Sequence, residues 1–145
     1  MTVKILKLQQ NAHIPTYGSA DAAGADLYAC IDEAVTILPS QTVLIPTGLS
    51  MEIEKGFAGF IYARSGLATK RGLAPANKVG VIDSDYRGQV MVSLHNHTEQ
   101  PQTVEPGERV AQMVFAPVYQ AQFCETDALQ DTERGTGGFG STGTK

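Results

Sequence analysis

The sequence predicts an all-β jelly roll or β-sandwich with one short helix and a flexible glycine-rich C-terminal tail. Three observations support this class: many short apolar runs, frequent glycine and proline between them, and a single segment with helical start and stop signals. With 145 residues, 42% of them hydrophobic, the chain is long enough for one domain with a substantial core. We expect that domain to span residues 1–130 and the tail to span residues 131–145.

Two of the expected strands carry most of the fold prediction. At residues 43–53 the apolar side chains share one parity, which indicates a half-buried strand, and Pro46 suggests that this strand is interrupted or lies at a sheet edge. Residues 109–119 are apolar on both faces around Gln112, as expected of a strand buried on both sides. The other expected strands are residues 3–8, 25–30, 57–63 and 121–126, and residues 11–24 are expected to form a loop.

One helix and one hairpin complete the predicted fold. Residues 65–71 form the only credible helix, because Ser65 can cap its start and Gly72 can end it. Residues 79–82 and 89–96 are apolar runs separated by Asp, Ser and Gly, and this pattern predicts a hairpin between them.

Composition and charge exclude several classes of protein. The net charge of −4 and the isoelectric point near 5.3 argue against bulk binding to nucleic acid or to an anionic membrane. The apolar runs are too short for a membrane span and the N-terminus lacks a secretory signal, so we expect a cytoplasmic protein. Cys30 and Cys124 lack metal-binding spacing and are expected to be free thiols packed among apolar residues. His95 and His97 suit either a metal or a solvated strand end, and the second is favoured.

Two segments have the residues that phosphate chemistry needs. Asp83 and Asp85 stand beside Tyr86 in the expected hairpin, where they are either reactive carboxylates or simple turn caps. Arg64-Ser65-Gly66 lies at a strand-to-helix junction, which offers unpaired N–H groups, a hydroxyl and a guanidinium to phosphate oxygens. An ordinary helix cap explains the same three residues.

The tail and two isolated polar residues are further candidates. Residues 134–141 combine Arg134, Phe139 and several glycines, which suits an anion and a stacked base but is also typical of a flexible terminus. Asp26 begins an apolar strand, where it either caps a turn or orients water around Mg²⁺. Gln112 interrupts an apolar strand and needs a polar partner, for which a core hydrogen bond is sufficient.

Five segments taken together resemble the deoxyuridine triphosphatase (dUTPase) family. They occur in the family's order and are AGADLYA (residues 23–29), RSGLA (64–68), NKVGVIDSDYRG (77–88), GERVAQMVF (107–115) and RGTGGFGSTG (134–143). The resemblance implies a jelly-roll homotrimer with active sites shared between subunits, the glycine-rich arm of residues 131–145 closing over a neighbouring site. It also implies Mg²⁺-dependent hydrolysis of dUTP to dUMP and diphosphate, which lowers dUTP and supplies dUMP for thymidylate synthesis.

The same resemblance implies a role for each matching residue. Asp83 would be the general base that activates water for attack on the α-phosphate, and Tyr86 would pack on the deoxyribose and exclude a 2′-hydroxyl. Asp26 would contact Mg²⁺ through water, the ion being held mainly by the phosphates. The uracil pocket would comprise Asn77, Met91 and the backbone of Val81, Ile82 and Asp83, with Phe139 stacked on the base. The phosphates would be held by Arg64, Ser65, Gly66, Gln112, Arg134, Gly140 and Ser141.

Two alternatives fit the same fold. The related dCTP deaminases resemble this chain around RSGLA, but they carry a catalytic Glu on the strand after the Ile-Asp segment, where this chain has Ser93. A catalytically silent module that senses nucleotides or binds a partner is the other alternative. The joint presence of Asp83, Tyr86, Arg134 and Phe139 favours the hydrolase over such a module.

Overall fold

The structure is a computed structural model, and it describes residues 1–138. This part of the chain contains twelve short strands and one helix. The strands are β1 (Lys4–Lys7), β2 (Thr16–Tyr17), β3 (Ala25–Tyr28), β4 (Val35–Ile37), β5 (Thr42–Pro46), β6 (Leu49–Glu52), β7 (Phe57–Tyr62), β8 (Leu73–Pro75), β9 (Gly80–Ile82), β10 (Met91–Asn96), β11 (Gln102–Val104) and β12 (Arg109–Pro117), and the helix is α1 (Ser65–Arg71). All the strand pairings in this part of the chain are antiparallel. The predicted all-β class with one short helix is confirmed.

The strands form two main sheets and two small pairs. A five-stranded sheet has the order β2-β3-β12-β7-β9, and a three-stranded sheet has the order β5-β10-β8. β1 pairs with β6, and β4 pairs with β11. Because alternate side chains of a strand point to opposite faces, each of these units turns one apolar face inward, and the faces meet in one core. Large, fully buried members of this core include Leu27, Ile37, Ile45, Leu49, Leu73, Leu94 and Met113.

β12 is the strand that positions the candidate site. It lies between β3 and β7, which places Gln112 opposite Asp26 on one side and Tyr62 on the other. A register shift between Arg109 and Ala111 interrupts its regular pairing with β3. The strand predicted at residues 109–119 is present but ends at Pro117, and the burial expected on both faces is found only in its first half.

The strand predicted at residues 43–53 is two strands, separated at Thr47 and Gly48. β5 belongs to the three-stranded sheet, whereas β6 pairs with β1. Gly48 has a φ of +68°, which side chains rarely adopt, and a Cβ here would lie 2.6 Å from Cys30 Sγ and 2.8 Å from Ala12 Cβ. The interruption expected near Pro46 is confirmed, and its cause is the turn at Gly48.

The predicted hairpin between residues 79–82 and 89–96 is wrong. β9 pairs with β7 in the five-stranded sheet, whereas β10 pairs with β5 on one side and β8 on the other. Because both edges of β10 are occupied, β9 has no place beside it. Residues 83–90 instead cross from one sheet to the other.

The helix has the predicted bounds but a different N-cap. Arg64 occupies the cap position with extended backbone, no side chain closes this end by a hydrogen bond, and Ser65 is the first helical residue. The role predicted for Ser65 as the cap is therefore wrong. Gly72 ends the helix as predicted, with a φ of +61° and an N–H that donates to Ala68 O at 3.0 Å.

The strand expected at residues 121–126 is wrong. This segment is exposed and meets no sheet edge within residues 1–138, so it has no strand to pair with there. Cys124 is accordingly exposed rather than packed among apolar residues, whereas Cys30 is a buried free thiol as predicted. Four short strands, β2, β4, β8 and β11, were not predicted, and β2 falls within the loop expected at residues 11–24.

The C-terminal part of the described chain has no regular secondary structure. Residues 118–136 are exposed, and they form neither helix nor strand. Residues 139–145 lie outside the described part, so the roles of Phe139, Gly140 and Ser141, the flexibility of the tail and its boundary at residue 131 stay predictions. No helix of residues 1–138 has the length and apolar character needed to cross a membrane.

Candidate functional site

A first cleft, which we call the arginine cleft, lies where β3, β12 and the start of α1 meet the loop before β3. Its volume is about 240 Å³. It forms here because the register of β12 brings Gln112 beside Asp26, while β7 leads directly into Arg64 and α1. Its lining residues are Gly18, Ala22, Gly24, Asp26, Arg64, Ser65, Gly66, Arg109 and Gln112.

Asp26 joins two arginines at the centre of the arginine cleft. Arg64 Nε donates to Asp26 Oδ1 at 2.7 Å, and Arg109 Nη1 donates to Asp26 Oδ2 at 3.2 Å. The Asp26 residue is 9% exposed, whereas half of the Arg109 side chain remains accessible. One carboxylate between two guanidiniums leaves a net positive charge, so the cleft attracts anions although the chain as a whole is acidic.

Gln112 and Gly24 fit together within the same cleft. Gln112 Nε2 donates to the Ala63 carbonyl at 2.9 Å, which supplies the polar partner that the sequence required. A Cβ at Gly24 would lie 2.4 Å from Gln112 Oε1, so only glycine allows the amide to occupy this position. The core hydrogen bond and a contact with a phosphate are compatible, because Nε2 carries two hydrogens and the bond to Ala63 uses only one of them.

A second cleft, the turn cleft, lies between β9, β10 and the chain that connects them. Its volume is about 300 Å³, and its lining residues are Val81, Ile82, Asp83, Tyr86, Gln89 and Met91. Asp83 is exposed to solvent, and its carbonyl accepts the Tyr86 N–H at 3.2 Å to close a turn. Tyr86 Oη donates to Gln89 O at 3.1 Å, and the ring lies so close to Gly88 that a Cβ there would be 2.4 Å from Tyr86 Oη.

Arg87 and Ser50 hold the turn that carries Asp83. Arg87 Nη1 donates to the carbonyls of Ser84 and Tyr86 at 2.8 and 3.0 Å, and Ser50 Oγ donates to Arg87 O at 2.7 Å. The turn is thus tied both to itself and to β6. Neither residue has a role predicted from the sequence, because the partner of Ser50 is 37 positions away.

The predicted site residues fall into two groups and a remainder. Within residues 1–138 no residue lines both clefts. Arg109 is the main site residue that sequence reasoning missed, because its place beside Asp26 depends on the pairing of β12 with β3. Asn77 is exposed and lines neither cleft, although its Nδ2 lies near Gly80, and Arg134 donates to Gly137 O at 2.9 Å outside both clefts. The arginine cleft contains the predicted Asp26, Arg64, Ser65, Gly66 and Gln112, and the turn cleft contains the predicted Val81, Ile82, Asp83, Tyr86 and Met91.

The acidic and histidine side chains of residues 1–138 do not form a protein cage for a metal ion. No group of three or more such ligands, cysteine included, occurs in this part of the chain. The His95 and His97 rings lie 4.5 Å apart without a third ligand, and burial lowers the pKa of His97. Asp26 is the one carboxylate that lines the arginine cleft, so a divalent cation suits this site when a ligand supplies most of its oxygens, as Mg²⁺ bound to phosphates does.

The sequence model of the dUTPase family matches residues 10–143. The chain belongs to the dUTPase family. A similar family member, the deoxyuridine 5′-triphosphate nucleotidohydrolase of Enterobacter sp. (strain 638), is 51% identical over 146 residues, which cover 99% of this chain and 96% of that protein. The protein of the same name from Salmonella typhi is 50% identical, with 99% of this chain and 97% of that protein covered.

Solved dUTPase structures share the fold of this dUTPase-family chain. A mutant of the Staphylococcus bacteriophage 80alpha dUTPase with dUpNHpp has a TM-score of 0.91 and 25% sequence identity, and the match covers 99% of both chains. A second mutant of that phage protein has a TM-score of 0.88 and 26% identity, covering 97% of this chain and 98% of the other. The predicted family and the predicted jelly-roll class are confirmed.

Proposed function

We propose that this chain hydrolyses dUTP to dUMP and diphosphate in the presence of Mg²⁺. The observation that carries the proposal is the division of the predicted residues into two complementary clefts, one cationic and one with an exposed carboxylate beside apolar and aromatic groups. Related proteins with the name deoxyuridine 5′-triphosphate nucleotidohydrolase, at half identity over nearly the full length, support the same substrate.

The arginine cleft is proposed to hold the triphosphate. Arg64 and Arg109 supply charge, since each has donors beyond those that Asp26 occupies, and Ser65 adds an exposed hydroxyl. Mg²⁺ held by the phosphates, with Asp26 reaching it through water, would neutralise their charge. Gln112 completes the cleft from β12.

Asp83 is proposed as the general base. Its exposed carboxylate lies on a turn that Arg87 and Ser50 hold in place, so a water molecule can reach it from solvent and be held in one orientation. The water oxygen forms a bond to the α-phosphorus while its proton passes to Asp83, and the bond to the diphosphate leaving group breaks. Positioning and charge neutralisation dominate such phosphoryl chemistry, and a covalent intermediate is not needed.

The turn cleft is proposed to select the nucleoside. The Tyr86 ring, fixed by Gln89 O and Gly88, would pack on the deoxyribose and leave no room for a 2′-hydroxyl. The backbone of Val81 and Ile82 would read the uracil edge, with Met91 against the ring and Asn77 close by. Backbone groups set for uracil would stay unpaired opposite cytosine, which penalises dCTP.

A homotrimer with shared sites is proposed as the active form. No residue of the described chain lines both clefts, so the proposed phosphate residues and Asp83 belong to different clefts of one copy. The C-terminal segment exposes large apolar side chains, Val118, Tyr119, Phe123 and Leu129, which is typical of a segment that packs on a neighbouring copy. Residues 131–145 would then close over a neighbouring site, with Arg134 on the terminal phosphate, Phe139 on uracil, and Gly140 and Ser141 on the phosphates. In the cytoplasm, such an enzyme would lower dUTP and supply dUMP for thymidylate synthesis.

The test is diphosphate release from dUTP, dTTP, UTP and dCTP, with and without Mg²⁺, with ammonia measured in parallel. Fast, Mg²⁺-dependent release from dUTP alone is the expected result. Ammonia from dCTP would favour a deaminase instead, an interpretation that Ser93 on β10 argues against. Binding of dUTP without any turnover would identify a nucleotide sensor.

A further inference from the structure

Both ends of helix α1 are tied to one dipeptide, Glu108-Arg109. At the start of the helix, Arg64 Nη1 donates to the Arg109 carbonyl at 3.4 Å, and Arg64 and Arg109 share Asp26. At the end of the helix, Arg71 Nη1 donates to Glu108 Oε1. The contacts form a closed ring that runs along the helix and returns through the first residues of β12.

The Arg71 guanidinium donates hydrogen bonds to three acceptors, two on β11 and one on Glu108. Besides Glu108, Nη2 donates to the Thr103 carbonyl and Nε donates to Gln102 Oε1 at 3.4 Å, both on β11. Glu108 is fixed in turn, because its Oε2 accepts the Glu105 N–H at 3.0 Å. The two charged side chains are 32% and 23% exposed, so salt screens this pair less than an exposed pair.

Apolar packing does little to set the direction of α1. Leu67 is its one buried residue, and the helix has only seven residues, too few to be stable without tertiary contacts. The bond from His97 N–H to Gly72 O, 2.9 Å long, fixes the point where the helix ends but leaves its tilt free. The tilt decides where Ser65 and Gly66 lie relative to Gln112.

We infer that Arg71 and Glu108 are positioning residues for the arginine cleft. By fixing the far end of α1 to the residue before Arg109, the pair holds the helix start and Arg109 in register with each other. The inference rests on the proposed function in one respect, since it takes a phosphate chain as the ligand of this cleft. Neither residue lines the cleft, so neither is expected to touch that ligand.

The test measures the binding of two ligands, one for the arginine cleft and one for the turn cleft. Inorganic diphosphate and deoxyuridine are titrated calorimetrically into the full-length wild type and into Arg71→Met, Arg71→Lys and Glu108→Gln. For Arg71→Met we expect the diphosphate Kd to rise about tenfold, the loss expected when a shift of the helix start weakens one hydrogen bond to a charged ligand. The deoxyuridine Kd should stay within about twofold, the scatter of independent sites.

Arg71→Lys and a double variant separate a positioning role from a general loss of stability. Arg71→Lys should recover part of the diphosphate affinity, because an ammonium keeps the charge towards Glu108 but lacks the planar guanidinium that spans all three acceptors. The double variant Arg71→Met/Glu108→Gln should lose no more diphosphate affinity than Arg71→Met alone, since both changes break the same ion pair. Lys4→Met is the matched control: it removes the exposed Lys4–Glu52 pair between β1 and β6, and neither Kd should change.

Three outcomes would overturn the inference. They are an unchanged diphosphate Kd in folded Arg71→Met, an equal loss of deoxyuridine affinity, and additive losses in the double variant. If Arg71→Met does not fold, the diphosphate and deoxyuridine Kd values of Arg71→Lys and Glu108→Gln are compared in the same way to test the inference. A wild type that binds diphosphate but does not turn over dUTP would refute the proposed function alone, because the titrations still compare the variants.

Discussion

Gly24 and Gln112 are packed so closely that one methyl group at residue 24 should disable the arginine cleft. Gly24→Ala would place a Cβ 2.4 Å from Gln112 Oε1 and 3.1 Å from Gln112 Cβ and Cδ. Ordinary contact begins at 3.4 Å, so the amide has to retreat by about 1 Å. The bond from Gln112 Nε2 to Ala63 O, 2.9 Å long, opposes that movement.

The size of the effect follows from these two opposing terms. If the amide rotates away, the hydrogen bond to Ala63 is lost at a cost of about 1 kcal/mol. If the bond is kept, the overpacking remains at about 1–3 kcal/mol. We therefore expect the free energy of unfolding to fall by about 1–3 kcal/mol. Since Gln112 is proposed to hold phosphate, its displacement by about 1 Å should reduce kcat/KM for dUTP by up to ~100-fold.

The assay is kcat/KM for dUTP together with urea unfolding, on Gly24→Ala and on Gly18→Ala. Gly18 lines the same cleft, but no atom lies within 4 Å of the position that a Cβ would take there, so this control should behave as the wild type. Wild-type activity in Gly24→Ala would refute the role of Gln112. An equal loss in Gly18→Ala would show that the cleft is sensitive to any added methyl group.

Three more predictions concern the turn cleft and the core. Asp83→Asn should still bind dUpNHpp but lose about 10²–10⁴-fold in kcat, and wild-type turnover would exclude a general base at this position. Gly88→Ala should expel the Tyr86 ring, because the new Cβ would lie 2.5 Å from Cζ, and should raise UTP turnover relative to dUTP; an unchanged ratio would contradict the sugar filter. Burial raises the pKa of the Cys30 thiol above its ordinary 9.0, so the unfolded chain loses this proton first and stability should fall above about pH 9. In Cys30→Ala, the free energy of unfolding measured in urea should fall less steeply with pH above about pH 9. The same pH dependence as in the wild type would contradict the link to the Cys30 thiol.

Features with a local cause were predictable from the sequence. The end of α1 at Gly72 depends on one residue that adopts a left-handed conformation, and this signal lies in the sequence itself. The family segments likewise marked Asp26, Arg64 and Asp83 before any geometry was known. The strand at residues 109–119 was predictable because its apolar character is continuous.

Features that depend on distant partners were not predictable. Their apolar runs predict that β9 and β10 are strands, but these runs do not show that β10 has neighbours on both edges and that β9 pairs elsewhere. Residues 121–126 were likewise expected to form a strand and form none, because no partner strand meets them in the described chain. Arg109 was missed because its role depends on a contact with Asp26, 83 positions away, which the register of β12 against β3 creates.

The ion pairs around Asp26 have an entropic consequence for binding. An unrestrained arginine carries about 2 kcal/mol of rotamer freedom, which an arriving anion would otherwise have to remove from each side chain. Asp26 restricts Arg64 and Arg109 during folding, so most of that ordering precedes the encounter with nucleotide. The stability of the fold thus contributes directly to affinity, and a chain that folds less firmly around Asp26 would bind its anion more weakly even with every contact residue intact.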